Sequence, residues 1–205
     1  MNRLALPLAA LLLPSVALAA KPKTYDSPKA VFAAAVAASK KKAWRTFFSC
    51  LDKKSHDRLA LQALAASFQL RKGDEDDKKI QEALKAFDNA TRKHGLKKED
   101  LEKVEDFLAG PPPETEAERV KKVGELLKPI EDRVGFLVDA IEAFGKAQKM
   151  GDPPLSGATL EDVKVTGAKA TGTIVQKRFG KDVKQPAEFV KEGGGWKLVA
   201  PKQGR

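Results

Sequence analysis

Cysteine, tyrosine and histidine are nearly absent from this chain. Its 205 residues include one cysteine, Cys50, one tyrosine, Tyr25, and two histidines, His56 and His94. A lone cysteine excludes an internal disulfide, so the fold must stand on its packed core. The histidines form no recognisable pair and no catalytic or metal-binding motif rises above background, so no catalytic residue, metal ligand or cofactor is assigned. Long apolar runs are missing beyond the N-terminus, which leaves the mature chain without a membrane span. No internal repeat is evident.

What is present begins with an export signal. Met1-Asn2-Arg3 is a short positive region, Leu4 to Val16 is apolar, and Ala17-Leu18-Ala19 is an A-x-A cleavage site ahead of Ala20-Lys21. The apolar part is short for a membrane span, and Pro7 and Pro14 interrupt it. Residues 1–19 are therefore expected to be removed, with a retained anchor as the alternative. The product is a soluble periplasmic or extracellular chain. Its composition, 42% hydrophobic and 32% charged over the whole sequence, is that of a globular protein. The net charge is +10, and Arg3 is the only charged residue before Lys21, so the base belongs almost wholly to the mature part. Such an excess favours acidic partners without selecting one.

The pattern predicts a single α+β domain over residues 20–205: N-terminal helices over 27–72, a helical insertion over 73–150 and a four-stranded antiparallel sheet over 159–200. Ser27-Pro28 reads as an N-cap followed by the first helical position, with Val31, Phe32, Ala35 and Val36 on one face. A short run with Trp44, Phe47, Phe48 and Leu51 follows. A third helix is expected to start near Ser55, to turn Leu59, Ala63, Ala66 and Leu70 inward, and to close at Gly73.

Within the insertion, the acidic run Asp74 to Asp77 heads a helix that buries Ile80, Leu84 and Phe87 and ends in Arg92, Lys93, His94 and Gly95. The next, with Leu101, Val104 and Leu108 inward, stops at Gly110 and three prolines. Thr115 and Glu118 form a capping-box pattern, after which Val120, Val123, Leu127, Ile130, Val134, Leu137, Ile141 and Phe144 repeat at steps of three and four. Pro129 predicts a break in this stripe, and Leu126, Val138 and Ala140 widen it beyond a dimer seam. A core helix pair is the expectation and a homodimer the alternative.

From Leu160 to Val199, short alternating runs separated by glycine-containing turns predict the meandering sheet. Pro186 cannot donate to a ladder, so its strand should meet an edge or a bulge there.

Two stretches, S-P-K-A-V-F-A-A-A-V-A-A-S-K-K-K-A-W-R-T-F-F-S-C-L (Ser27 to Leu51) and F-V-K-E-G-G-G-W-K-L-V (Phe189 to Val199), resemble the opening helices and the last hairpin of secreted bacterial proteins in the nuclear-transport-factor-2-like superfamily. The resemblance implies helices packed into the concave face of a curved antiparallel sheet, often around an apolar pocket. It carries over no catalytic residue: relatives that act as isomerases or dehydratases need carboxylate, Tyr or His groups in the pocket, and Tyr25 lies beside the mature N-terminus. The insertion exceeds the usual connection, and is expected to plug the cone, cap it or stand as a separate lobe.

Among individual residues, Trp44, Phe47, Phe48, Phe179, Phe189 and Trp196 are candidates to line an apolar ligand pocket, with plain core as the alternative. Cys50 reads as a buried small hydrophobe rather than half of a dyad with His56. His94 reads as a helix-end residue. The acidic run 74–77 fits helix-dipole complementation better than a cation site. The basic pairs Lys53-Lys54, Arg71-Lys72, Lys78-Lys79, Arg92-Lys93, Lys97-Lys98 and Lys121-Lys122 are spread over several helices and read as a solvated surface. Specific nucleic-acid binding would need base gathered on one face or interleaved with exposed aromatics. The expected function is an exported, non-catalytic binding or accessory module. A pocket enzyme of isomerase or hydrolase type and adhesion to an anionic envelope polymer are the alternatives.

Overall fold

The computed structural model describes residues 24–73, 77–147, 153–178 and 180–201. The leader and its expected cleavage point lie outside them, as do Phe179 and residues 74–76 of the acidic run. Helices α1 (Pro28–Lys40), α2 (Trp44–Ser49), α3 (Lys53–Arg71), α4 (Lys78–Lys93), α5 (Lys98–Ala109), α6 (Glu116–Leu126) and α7 (Arg133–Ala147) precede strands β1 (Thr159–Thr166), β2 (Lys169–Arg178), β3 (Lys181–Glu192) and β4 (Gly195–Val199). The fold is therefore α+β, with an open antiparallel sheet in the order β1-β2-β3-β4.

The helix starts follow from their caps. Ser27 accepts from the Ala30 N–H at 3.1 Å with Pro28 at the first position, and Thr115 accepts from the Glu118 N–H at 3.2 Å. Asp77 heads α4 by accepting from the Lys79 N–H at 2.8 Å. On α3 the cap is Asp52, which accepts from the Ser55 N–H at 3.3 Å, so this helix begins ahead of the expected Ser55. Its inward face also differs. Ala60, Leu61, Leu64 and Ser67 are buried, Ala66 is exposed, and Leu59, Ala63 and Leu70 are only half-buried. The stripe 60-64-67 was hidden because Ser67 belongs to it: its hydroxyl donates to the Leu64 carbonyl at 2.7 Å, which removes the cost of burying it.

Two further apolar residues expected inside lie outside. Leu108 is 39% exposed near the end of α5, and Val120 is 42% exposed on α6, where the helix has not yet reached its neighbours. The stripe expected from Val120 to Phe144 is two helices: α6 stops at Leu126, and α7 resumes at Arg133 beyond Pro129. Val123, Leu127, Ile130 and Leu137 are its buried members.

In the sheet, Glu161 pairs with Thr173 and Lys164 with Thr171, so Asp162 and Val163 together face Gly172. This is a β-bulge, with Asp162 at φ 52°, and it bends β1. Gly172 leaves little room for a side chain: a Cβ there would lie 3.1 Å from the Glu161 carbonyl oxygen, tighter than ordinary contact. Pro186 pairs with Thr173 on one side, while β4 covers β3 only from Glu188 to Glu192, so the proline sits where that side of β3 has no strand neighbour. The outer edge of β4 is covered. The Trp196 N–H donates to the Tyr25 carbonyl at 2.8 Å, the Leu198 N–H to the Cys50 carbonyl at 2.9 Å, and the Asp52 N–H to the Leu198 carbonyl at 3.1 Å.

A buried polar cluster locks the end of β4 to the start of α3. Ser55 donates to Asp52 and accepts from the Ala200 N–H at 2.8 Å, while Arg58 donates to the Ala200 carbonyl. Helix α1 lies on β4 and β1, α2 packs between α1 and α7, and α3 is the spine on which α4, α5, α6 and α7 assemble. The insertion thus docks chiefly on α3 and α2. One contiguous core runs from Phe189 and Trp196 through Phe32 and Phe48 to Leu64, Phe87 and Phe136. Among the described residues no helix is long and apolar enough to cross a membrane.

Candidate functional site

Five of the six aromatic candidates belong to that core. Trp44, Phe47 and Phe48 stack edge-on along α2, with ring centroids 6.1 and 5.5 Å apart. Phe189 lies between Ala170 and Leu198 on neighbouring strands, and Trp196 lies opposite Lys191, whose ammonium is 5.7 Å from its ring. All five are between 1% and 8% exposed. Phe179 lies outside the described residues.

Beside them, Tyr25 is buried. It runs so close to β4 that a Cβ on Gly195 would lie 2.9 Å from its backbone nitrogen. The Cys50 thiol is 3.6 Å from the Tyr25 hydroxyl and 3.2 Å from the Thr46 carbonyl. Burial first, and then the contact with Cys50, pushes the Tyr25 hydroxyl up to about 12. Cys50 is wholly buried beside Phe47, Phe48 and Leu51. His56 does not join it in a dyad: its Nε2 is 2.7 Å from the Phe48 carbonyl.

His94 has a larger structural part than its sequence position suggested. It ends α4, is 9% exposed, and places Nε2 2.7 Å from Asp139 Oδ2 on α7. Lys93 reaches the same oxygen at 2.8 Å, and the imidazole meets the Phe136 ring edge-on at 5.8 Å. Asp132 accepts from the Gly135 N–H at 2.8 Å and from Arg45 at 3.3 Å. Burial pushes Asp139 up, but Lys93 and His94 together outweigh it and hold the carboxyl below the usual range. Asp132 is lowered likewise: burial opposes, while the Gly135 N–H and Arg45 prevail. The His94–Asp139 pair clasps the end of α4 to α7.

Two open clefts among the described residues lie on the helical lobe. One cleft, of about 810 Å³, lies between α5 and α6 over Phe107, Leu126 and Pro129, with acids and bases mixed on its rim. The other, of about 880 Å³, lies where the ends of α3 and α4 meet the start of α5. Phe68, Leu96 and Leu101 form its floor, and Arg71, Lys72, Arg92, Lys97 and Lys98 its rim, against the acids Asp88 and Glu105. None of the five described aromatic candidates lines either cleft. Members of three basic pairs read as scattered thus converge on one cleft. The available signal was positional: two of these pairs end helices and the third opens the next. Among the described residues no group of three or more His, Cys, Asp or Glu is placed to hold a metal ion. No family model, curated protein or solved structure matches this chain.

Proposed function

We propose that the chain is exported and serves as a non-catalytic binding or accessory module of the cell envelope, with the helical lobe as the part that takes the ligand. The observation that carries this reading is the location of open space. Two clefts within the usual size range of small-molecule sites lie on the lobe, and the five described aromatic candidates are buried and line neither. Export rests on the leader sequence, residues 1–19. A secretion assay of the full chain should recover a product beginning at Ala20, and a cytoplasmic, unprocessed product would refute that half.

For the binding half, the isotope-labelled mature chain is titrated with a small-molecule extract of bacterial envelopes and its amide resonances are followed. Shifts should concentrate at Leu96, Leu101, Phe107 and Val123. Shifts confined to β2, β3 and β4, or turnover of an extract component, would sink the reading.

A further inference from the structure

We propose that the cleft at the junction of α3, α4 and α5 binds an amphiphilic oxyanion, a single negatively charged head group on an apolar body. This rests on reading the helical lobe as the binding part and specifies what the lobe takes.

The lining divides into two chemistries. At the bottom, Phe68 and Leu101 are half-buried, with Leu96 beneath, so each leaves apolar surface that a guest can cover. Around the rim, five cations face two acids. Much of that charge is already engaged. Arg71 pairs with Asp88, Arg92 donates to Asn89 Oδ1 at 2.7 Å and to the Asp88 carbonyl at 3.3 Å, and Lys98 lies 3.7 Å from Glu102. Lys72 and Lys97 line the same cleft, and neither ammonium group is in an ion pair with an acid among the described residues. These two ammonium groups are what a guest's charge would neutralise.

The geometry also argues against the simpler occupants. A bare inorganic anion would meet the lysines as exposed, well-hydrated charges, a weak arrangement in water, and would leave the floor uncovered. A neutral apolar guest would cover the floor but leave the rim's excess charge unanswered. An oxyanion on a hydrocarbon or aromatic body satisfies both. The head group can come from a soluble amphiphile or from an anionic lipid at a membrane surface.

The probes are octyl phosphate below its micelle concentration, inorganic phosphate, octyl glucoside, and vesicles with and without phosphatidylglycerol, each added to the whole mature chain. Octyl phosphate should bind one to one, at least tenfold more tightly than inorganic phosphate or octyl glucoside, and shift the amides of Leu96, Leu101 and Phe68. The variant Lys72→Glu with Lys97→Glu should lose at least tenfold in affinity while its thermal midpoint and circular dichroism stay unchanged. Salt-sensitive sedimentation with phosphatidylglycerol vesicles assigns the head group to a lipid, and binding of the soluble probe alone assigns it to a free amphiphile. Equal affinity for octyl phosphate and octyl glucoside, equal affinity for octyl and inorganic phosphate, or indifference to the double charge reversal overturns the proposal. Should octyl phosphate fail to shift the lobe while the envelope extract still does, this inference falls and the broader function stands. If neither shifts the lobe, both fall.

Discussion

The phenol of Tyr25 sits against Cys50 with its ring enclosed by the core, so ionising it means desolvating a phenolate beside the thiol. Its folded-state value of about 12 exceeds the ordinary tyrosine value of 10.0. The sign follows from which form each state prefers. Below pH 10 both states are protonated and the stabilising contribution is complete, while between 10 and 12 the unfolded chain releases the proton and the folded one keeps it, so stability falls as pH rises through that interval. Because Tyr25 is the only tyrosine, its absorbance at 295 nm can be titrated without overlap from another. The native chain should show a midpoint near 12 and the chain in guanidinium one near 10. A native midpoint near 10 would mean that the ring is solvated. Tyr25→Phe should flatten the loss of stability over the same interval.

Two glycines within helices separate intrinsic propensity from local packing. Gly124, on α6, has nothing within 4 Å of where a Cβ would stand, so Gly124→Ala should stabilise by about 0.5–1 kcal/mol, through reduced backbone freedom in the unfolded chain. At Gly135, in the first turn of α7, the same substitution should reverse sign. Its Cβ would collide with Asp132 Oδ2 and lie 3.0 Å from His94 Cε1, and moving Asp132 aside breaks the bond it accepts from the Gly135 N–H. A cost of roughly 1–3 kcal/mol is expected, and urea melts of both variants would expose the error if Gly135→Ala were as stable as the parent. At this scale much was legible in the sequence. Caps at Ser27, Asp77 and Thr115, the break at Pro129 and the glycine turns of the sheet are local signals, readable wherever the chain goes. The register of α3 was not, because a buried serine completes its stripe. The clasp was not either, because His94 and Asp139 meet only after α4 and α7 have packed. The basic cleft escaped for a related reason: helix-end position marked its basic pairs, but that the ends of α3 and α4 meet the start of α5 is settled only by packing.

Across the whole molecule the question is whether the helical lobe and the sheet platform melt as one. They share a single apolar cluster, and the lobe is joined to the platform through α3 and α2, whose outward faces α7 covers. The Asp57–Arg133 ion pair, 2.9 Å and largely buried, crosses the same boundary between α3 and α7. Removing residues 73–150 would therefore open the buried face of α3 at Leu61 and Leu64, so the truncated chain should not fold. In the intact chain, three probes report on different parts: far-ultraviolet circular dichroism on the helices, tryptophan fluorescence on Trp44 and Trp196, and thiol labelling on the buried Cys50 beneath β4. With one core, their urea midpoints should coincide, and the labelling rate of Cys50 should follow the same opening free energy. A helical transition at lower urea, with Cys50 still protected, would instead make the lobe an independent unit, and the shared cluster would then contribute little to cooperativity. Coincidence of the three curves is the stronger expectation, because Phe87 and Phe136 belong to the same apolar cluster as Phe189 and Trp196, and their helices α4 and α7 pack on α3 and α2, which would be exposed if the lobe opened alone.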